Sequence, residues 1–285
     1  MQDVVIVRHG EIGIKSRTVR NRFEKVLIDN ISVCLKNNKV SYDKITRSNS
    51  RVYIFAKPTK KMLDSLKRVF GIVSFSPAKI IKTEIKSIEK EALTCYKSKG
   101  RKKSFRITAR RQTKEFEFNS RQICEIVGEY VQKATGAKVN LSKPEINVSI
   151  EVNGKNTFVL SEHLRGQCGL PIGTQEKVLC VISDNDSIIA ALEALKRGCT
   201  AYLFFENKTI AKRCKHVMDR YYYHRTPLSF SFEEPAAKDI GAYAIVYGTH
   251  DLNVINSKQK DDVLLLFPLL GYSKNELKQK IADLK

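Results

Sequence analysis

Two aspartates lie in a short turn where a buried-strand pattern passes into a helix pattern. The segment from Lys177 to Ser187 reads Lys-Val-Leu-Cys-Val-Ile-Ser-Asp-Asn-Asp-Ser and contains no glycine. Proteins that bind polyphosphates place glycines at such a turn, because glycine lets several backbone N–H groups approach the phosphate closely. Asp184 and Asp186 would repel a polyphosphate unless a metal ion lay between them. The turn therefore decides whether this part of the chain is an enzyme domain that binds a nucleotide.

A purely structural role competes with the ligand role at this turn. Asp186 or Ser187 can act as the N-cap of the following helix, and an N-cap needs no ligand. The turn also follows the first strand of a predicted parallel sheet, where open α/β domains bind their ligands. The residue types alone favour the N-cap, and the ligand role stays open.

Cys214 is a second residue whose chemistry could matter. It lies on a predicted helix between Arg213 and Lys215. Neighbouring cations lower the pKa of a thiol and favour the nucleophilic thiolate. A lone cysteine on a helix is more often a small apolar filler of the core. We therefore assign Cys214 a catalytic role only if an independent observation supports one.

A cluster of basic residues marks the middle of the chain. Its members fall on a loop, on the polar face of one predicted strand and at a helix start, so they can converge on one surface. Such a surface can neutralise several phosphates of a folded RNA without reading its base sequence. The alternative is a solvated charged face without a ligand. The cluster consists of Lys99, Arg101, Lys102, Lys103, Arg106, Arg110, Arg111, Lys114 and Arg121.

The charge balance of the whole chain favours a polyanionic partner. Over 285 residues, 51 Lys and Arg stand against 30 Asp and Glu, which gives a formal net charge of +21. Such an excess indicates nucleic acid more than a merely lysine-rich surface.

Seven scattered cysteines without a Cys-x-x-Cys pair, and histidines without ligand spacing, predict reduced thiols in the cytoplasm and no metal site. Charges among the first twenty residues and the lack of a long apolar run lead us to expect neither a signal peptide nor a membrane anchor.

The elements that must position these residues divide the chain into three parts. Residues 1–76 show the order β-α-β-β-α-β, which is typical of a ferredoxin-like domain. Residues 77–168 contain a strand pattern, Phe105–Arg110, whose side chains alternate between apolar and mostly cationic. Residues 169–285 alternate nearly continuous apolar runs with helix patterns, which predicts a Rossmann-like parallel sheet covered on both faces. We therefore predict a multi-domain protein that combines α+β and α/β domains.

Several segments of the sequence resemble one protein family. The opening residues 8–15, the stretch 161–166 and a glycine-rich stretch before the aspartate turn carry the resemblance, and three short segments near the end extend it over nearly the whole chain. The family is that of tRNA 4-thiouridine synthetase (ThiI). The matching residues are Arg8-His9-Gly10-Glu11-Ile12-Gly13-Ile14-Lys15 with Arg22-Phe23-Glu24, Ser161-Glu162-His163-Leu164-Arg165-Gly166, Gly169-Leu170-Pro171-Ile172-Gly173-Thr174-Gln175 with Lys177-Val178-Leu179, Tyr247-Gly248-Thr249, Pro268-Leu269-Leu270-Gly271 and Asn275-Glu276-Leu277.

The resemblance implies a domain order and a chemistry. The implied domains are a ferredoxin-like domain (1–76), a THUMP RNA-binding domain (77–168) and a PP-loop ATP pyrophosphatase-like domain (169–285). Enzymes of this family use ATP to adenylate a uridine of tRNA and then replace its oxygen with sulfur delivered as a persulfide. If this chain is such an enzyme, ATP and Mg²⁺ are its cofactors. The resemblance also adds Arg165 to the residues expected to contact RNA.

The chain departs from the family at the residues that would do this chemistry. The family loop reads Ser-Gly-Gly-x-Asp-Ser, and here the matching nucleotide positions Ser183, Asp186 and Ser187 remain while one residue and both glycines are missing. Some relatives carry Cys-x-x-Cys on the following helix, where this chain has Ala211 and Cys214. The third domain is also short for the family, and we expect no rhodanese-like domain after it. These departures predict a degenerate nucleotide domain beside a preserved RNA-binding portion.

Three functional hypotheses follow from the resemblance. The leading one is a cytoplasmic tRNA-binding protein that is non-catalytic, or altered in its catalysis, and acts in tRNA modification with a sulfur donor or another tRNA-modifying enzyme as partner. The alternative is an active ATP-dependent tRNA sulfurtransferase that makes 4-thiouridine, with Cys214 carrying sulfur and Asp184 recruiting Mg²⁺. An adenylating enzyme of thiamine thiazole sulfur transfer would have the same nucleotide requirement.

Overall fold

The computed structural model describes residues 2–48, 50–100, 102–113, 115–249, 251 and 263–283. The chain divides into two compact units. The first unit contains Met1–Arg8, Ser41–Lys60 and Ser74–Arg165, and the second contains His9–Val40, Lys61–Val73 and Gly166–Lys285.

The elements follow the order that the sequence predicts. The helices are α1 (Arg17–Asn37), α2 (Lys60–Leu66), α3 (Ile85–Lys99), α4 (Ser120–Thr135), α5 (Asn185–Lys196), α6 (Lys208–Tyr221) and α7 (Lys274–Asp283). The strands are β1 (Gln2–Arg8), β2 (Lys44–Ser48), β3 (Arg51–Phe55), β4 (Ser74–Lys82), β5 (Phe105–Arg111), β6 (Ile146–Asn153), β7 (Asn156–Leu160), β8 (Leu164–Arg165), β9 (Lys177–Ile182), β10 (Thr200–Phe205), β11 (Ser229–Ser231), β12 (Ala244–Val246) and β13 (Leu264–Leu266).

The first unit is built on one sheet. Its strands lie in the order β2-β3-β1-β4-β7-β6-β5, and β8 pairs with β4. The pairs are antiparallel except that β5 runs parallel to β6. The order β2-β3-β1-β4, with α1 and α2 between the strands in sequence, is that of a ferredoxin-like domain. The boundary placed at residues 76 and 77 falls within β4, which continues to Lys82.

The two faces of this sheet differ in chemistry because side chains alternate along each strand. One face packs its apolar side chains with residues of α3 and α4 in a core that includes Phe105, Ile107 and Val148. The other face carries a small apolar cluster that includes Ile6 and Phe158. The alternation predicted for β5 is confirmed, since Phe105 and Ile107 are buried while Arg110 is exposed.

Local signals set the ends of the elements in this unit. Asn119 caps α4 by accepting the backbone N–H groups of Arg121 and Gln122, and Gln122 answers by accepting the N–H of Asn119. Gly136 ends α4 in the left-handed region, as predicted from its place after the last apolar residue. Asn153 and Asn156 pair across a tight hairpin with two loop residues, and the first of these, Gly154, has a φ of 57°.

The second unit contains a wholly parallel sheet in the order β11-β10-β9-β12-β13. The chain leaves β9 toward β10 on one side and later returns to β12 on the other side. The carboxyl end of β9 is therefore the switch point of the sheet, where open α/β folds form a crevice. The predicted parallel-sheet domain is confirmed, while the short strands β8 and β11 were not predicted.

Candidate nucleic-acid interface and nucleotide turn

A pocket of about 780 Å³ opens on the polar side of the first unit's sheet. It is placed by strands whose polar side chains share one face: Thr108 and Arg110 of β5 lie beside Ser149 and Glu151 of β6 in the parallel register. The sequence pattern produces this surface, because every second residue of β5 points away from the core. The cationic and polar residues that line the pocket include Arg8, Lys99, Thr108, Arg110, Asn147 and His163.

An arginine pair and one carboxylate form a largely buried ion cluster, in which Arg8 and Glu151 line this pocket. Arg8 ends β1 and Arg51 begins β3, and the two residues face each other in the antiparallel register. Arg8 donates to Oε1 of Glu151 at 3.1 Å and to Oγ of Ser76 at 3.0 Å, and Arg51 donates to the other carboxylate oxygen of Glu151. Glu151 is only 7% exposed. The carboxylate therefore holds two guanidinium groups in place, and that of Arg8 lies at the edge of the cavity.

Three residues of the predicted basic cluster lie at or near this pocket. Lys99 at the end of α3 lines it and donates to the carbonyl of Asn147 at 3.1 Å. Arg110 lines it as well, and its side chain is exposed. Arg106 is two residues earlier on the same face of β5 and donates to the carbonyl of Leu141 at 2.9 Å. These residues stay predictions as RNA contacts, and the structure brings them to one surface.

The rest of the predicted cluster is spread over other parts of the unit. Arg111 points to the opposite face of β5 and donates to the carbonyls of Phe116 and Phe118, so it holds a loop together. Arg121 is exposed on α4 and pairs with Glu125 at 2.8 Å. Lys102 and Lys103 are exposed in the turn before β5, and Arg165 is exposed on β8. Arg101 and Lys114 lie outside the described residues.

His163 is a titratable group of this pocket that the composition argument overlooked. Partial burial lowers the pKa of its imidazole, and the positive charges of Arg8 and Arg165 lower it further. The ring is therefore neutral at pH 7. Protonation in mild acid would add one more positive charge to the pocket.

The aspartate turn of the second unit is closed by a reciprocal helix cap. Asp184 is the N-cap of α5, and its Oδ1 accepts the backbone N–H of Ser187 at 2.8 Å. The hydroxyl of Ser187 accepts the N–H groups of Ser183 and Asp184, both at 3.0 Å. The prediction that Asp186 or Ser187 is the N-cap is wrong. Asp184 occupies that position because its carboxylate reaches the N–H of Ser187, so α5 begins at Asn185 and Ser187 is the third residue of the helix.

The loop after β12 covers the same helix end. A Cβ atom built on Gly248 would lie 2.3 Å from the Cα of Ser187 and 2.4 Å from its nitrogen. The backbone of Gly248 thus packs directly on the first turn of α5. Ser187 is 1% exposed as a result, and its hydroxyl also donates to the carbonyl of Asp184 at 2.7 Å.

Cys214 lies in the core of the second unit. It is fully buried with Ala211, Val217 and Met218 along the inner face of α6. Burial raises the pKa of the thiol to about 12. The expectation that flanking cations lower this pKa is wrong, because Arg213 and Lys215 point to other sides of the helix while the thiol faces apolar groups.

Neither a metal site nor a membrane-spanning helix occurs among the described residues. In the parts of the chain that the structure covers, no group of three or more His, Cys, Asp or Glu side chains has the arrangement of a metal site. Within the same ranges, every helix is too short or too polar to cross a membrane.

Sequence reasoning missed Arg8, Arg51 and Glu151 as parts of one site. The three residues are separated by 43 and 100 positions in the chain, and only the strand order β3-β1-β4-β7-β6 brings them together. One signal was present: Arg8 and Arg51 are charged residues at the ends of otherwise apolar strand patterns.

Comparison with protein families identifies the two N-terminal segments. Residues 4–76 match the ThiI ferredoxin-like domain, and residues 82–162 match the THUMP domain. A probable tRNA sulfurtransferase of Thermococcus kodakarensis is 38% identical over 234 residues, which cover 78% of this chain and 61% of that protein. Another from Methanobrevibacter smithii is 37% identical over 204 residues, covering 69% and 52%. The chain spans about half to three fifths of the length of the curated relatives it matches.

Solved structures share the fold over the whole chain. The crystal structure of PH1313 from Pyrococcus horikoshii is 30% identical with a TM-score of 0.87 and covers 99% of each chain. A 4-thiouridine synthetase crystallised with RNA and bound ATP has a TM-score of 0.83 at 22% identity, covering 100% of this chain and 85% of that one. The fold and the cationic sheet face define a THUMP-domain protein with a parallel-sheet domain. The chain belongs to the tRNA 4-thiouridine synthetase (ThiI)-like family.

Proposed function

We propose that this chain binds tRNA through the pocket face of the first unit and acts in tRNA modification. The face supplies guanidinium and ammonium groups for phosphates, and polar groups such as Thr108 and Asn147 for sugars and base edges. The relatives are named tRNA sulfurtransferases, and one protein of the same fold was crystallised with RNA. We place the protein in the cytoplasm, where its seven unpaired cysteines stay reduced.

We further propose that the Ser183–Ser187 turn does not hold ATP, so that the chain lacks the adenylation step. The closed cap of α5 carries this proposal. An anion at a helix N-terminus needs unpaired backbone N–H groups. Here the N–H groups of Ser183, Asp184 and Ser187 already have acceptors within the turn. The carboxylate of Asp184 is itself the anion at this helix end, and it would repel a pyrophosphate.

The tRNA-binding part is tested by a titration of the whole chain with unfractionated tRNA at several salt concentrations. Phosphate contacts release counterions, so the logarithm of the association constant should fall linearly with the logarithm of the salt concentration. We expect submicromolar to micromolar affinity at low salt and a slope that reports several neutralised phosphates. Affinity that does not change with salt would refute the cationic surface.

The proposal that the turn does not hold ATP is tested by measuring ATP binding to the wild-type chain and to a variant with a restored loop. We expect the wild-type chain to show no saturable heat when ATP and Mg²⁺ are titrated to millimolar concentration. Replacement of Asp184 by the dipeptide Gly-Gly restores the family loop Ser-Gly-Gly-x-Asp-Ser and frees the amides at the helix start. We expect this variant to bind ATP measurably. Saturable ATP binding by the wild type that is lost in Asp186→Ala would overturn the proposal.

An active ATP-dependent tRNA sulfurtransferase is the second candidate function. The position of the turn at the switch point of the parallel sheet favours it, as do the names of the relatives. In that function ATP would displace the Asp184 cap, and Mg²⁺ would offset the carboxylate charges. Conversion of uridine to 4-thiouridine in a reconstituted mixture with ATP and a persulfide donor would establish this candidate over the first.

A further inference from the structure

Two phenylalanines that pack on a buried third form an exposed aromatic surface on the second unit, at the edge of its parallel sheet. Phe205 at the end of β10 is buried, and its ring lies 5.9 Å from that of Phe230 and 5.7 Å from that of Phe232. Phe230 is on the edge strand β11 and is 46% exposed, and Phe232 just beyond it is 47% exposed. Two large apolar rings are thus partly exposed to solvent while they pack on a buried ring. This arrangement exposes ring surface that ordinary core packing would cover.

A lysine fixes one of these rings and adds charge beside it. Nζ of Lys215 on α6 lies 3.4 Å from the centroid of the Phe230 ring, and it is 5.8 Å and 6.0 Å from the Phe205 and Phe232 centroids. An ammonium over an aromatic face is attracted by the ring quadrupole. The contact orients the Phe230 ring and brings a positive charge to the edge of the aromatic surface.

The helix beside this surface is strongly cationic. The helix α6 contains one acidic residue, Asp219, and five basic residues, Lys208, Lys212, Arg213, Lys215 and Arg220. Lys208, Lys212 and Arg213 are exposed, and no described residue forms an ion pair with them. Asn207 caps the helix through the N–H of Ile210. Lys208, Lys212 and Lys215 are spaced by four and three residues, so they lie on one face of α6, the face that meets the Phe230 ring.

From this juxtaposition we propose that Phe230 and Phe232 stack unpaired bases of an RNA strand whose phosphates lie along the cationic face of α6. Single-stranded nucleic acids bind proteins through this combination of a charged track and exposed aromatic faces. The inference deepens the proposed function, on which it rests, by adding a second contact region and by assigning it to unpaired nucleotides.

The charges around the rings favour RNA over a protein partner, and they determine which part of the surface the RNA strand follows. A protein partner of neutral charge would gain nothing from the cations of α6, whereas each phosphate of an RNA strand is attracted by them. Glu233 and Glu234 follow Phe232 directly. Carboxylates repel phosphates, so the strand runs from the rings toward α6 and not over the 233–234 segment.

The test uses the whole chain and two RNA probes: a twelve-nucleotide oligouridylate and a sixteen-base-pair RNA duplex. Loss of base stacking costs about 1–3 kcal/mol per base on alanine substitution, which corresponds to a weakening of about fivefold or more. We expect the double variant Phe230→Ala/Phe232→Ala to weaken oligouridylate binding by at least this factor and to leave duplex binding unchanged. Phe230→Tyr/Phe232→Tyr keeps both rings and should bind like the wild type.

Tyr243→Ala is the matched control, since Tyr243 is 67% exposed on the same unit and takes no part in the aromatic cluster. Equal oligouridylate affinity of the double alanine variant and the wild type would overturn the proposal, and so would an equal loss on both probes. If the double alanine variant bound tRNA and oligouridylate as tightly as the wild type does, only this inference would fail. If it bound neither tRNA nor oligouridylate, the proposed function would fail with it.

Discussion

Nη2 of Arg8 donates to Oε1 of Glu151 at 3.1 Å, although β4 and β7 lie between their strands in the sheet. The contact is possible because Arg8 ends β1, so that its long side chain reaches over Ser76 toward β6. Arg51 adds its own bond to the same carboxylate. Glu151 thereby ties strands of the ferredoxin-like segment to a strand of the THUMP segment, and it fixes the guanidinium group of Arg8, which lines the pocket.

Glu151→Gln should destabilise the chain. The amide removes the charge that compensates Arg8 and Arg51, whose side chains are 19% and 17% exposed. We expect the free energy of unfolding to fall by about 1–3 kcal/mol, the usual effect of weakening a largely buried charge-assisted hydrogen bond. Urea denaturation of both proteins measures this loss. Glu162→Gln is the control, since Glu162 is exposed on the pocket rim, and it should change stability by less than about 0.5 kcal/mol. Equal losses in the two variants would contradict the role of Glu151.

Arg110→Glu should weaken tRNA binding far more than Arg121→Glu. Arg110 is exposed in the pocket, whereas Arg121 is paired with Glu125 on an exposed helix face. Reversal of a charge that contacts phosphate removes one attraction and adds one repulsion, so we expect about a tenfold loss for Arg110→Glu and a shallower salt dependence. Fluorescence anisotropy with labelled tRNA at two salt concentrations measures both effects. The prediction fails if the two variants lose affinity equally.

Binding of tRNA should strengthen as the solution becomes more acidic than the usual pKa of histidine, about 6.5. Burial and the neighbouring arginines lower the pKa of His163 in the free protein, so the ring takes up its proton only below that range. Bound phosphates favour the charged imidazolium, and binding therefore promotes proton uptake. We expect the affinity gain between pH 7.5 and pH 5.5 to be smaller in His163→Asn. A pH profile identical to that of the wild type would exclude a role for His163.

Much of the fold follows from local patterns in the sequence. The alternation of β5, the apolar runs of β9 and β10 and the stop of α4 at Gly136 each depend on residues close together in the chain, and the structure confirms them. The strands β8 and β11 have two and three residues. Runs this short carry no periodicity, and they form only because a neighbouring strand offers free hydrogen-bonding groups.

The sites were harder to predict because they depend on contacts between distant residues. Successive side chains of a strand point to opposite faces of the sheet, so Arg110 faces the pocket while the adjacent Arg111 does not. The state of Cys214 depends on the direction of one helix face toward the core. The closed turn depends on Gly248, which lies 61 positions after Ser187 and packs on it. No local pattern reports such a contact.

Cys214 should resist thiol reagents as long as the chain is folded. Its side chain is fully buried and its pKa is raised to about 12, so almost no thiolate exists at pH 7.5. Cys168 is exposed and should react first. Labelling with iodoacetamide followed by peptide mass spectrometry resolves the two positions, and labelling in urea shows that both can react. We also expect Cys214→Ala to keep full tRNA affinity, and rapid modification of Cys214 in the native chain would contradict its core position.

Gly248→Ala should destabilise the second unit because the new methyl group has no room. It would lie 2.3 Å from the Cα of Ser187. This clash can be relieved only if the loop or the start of α5 moves. Forced overpacking of this kind costs about 1–3 kcal/mol. Gly271→Ala is the matched control, since a Cβ there meets nothing within 4 Å. Thermal and urea unfolding of the two variants measure the difference. If Gly248→Ala were as stable as Gly271→Ala, the loop after β12 would not be packed on the turn, and the closed state proposed for the nucleotide site would lose its second support.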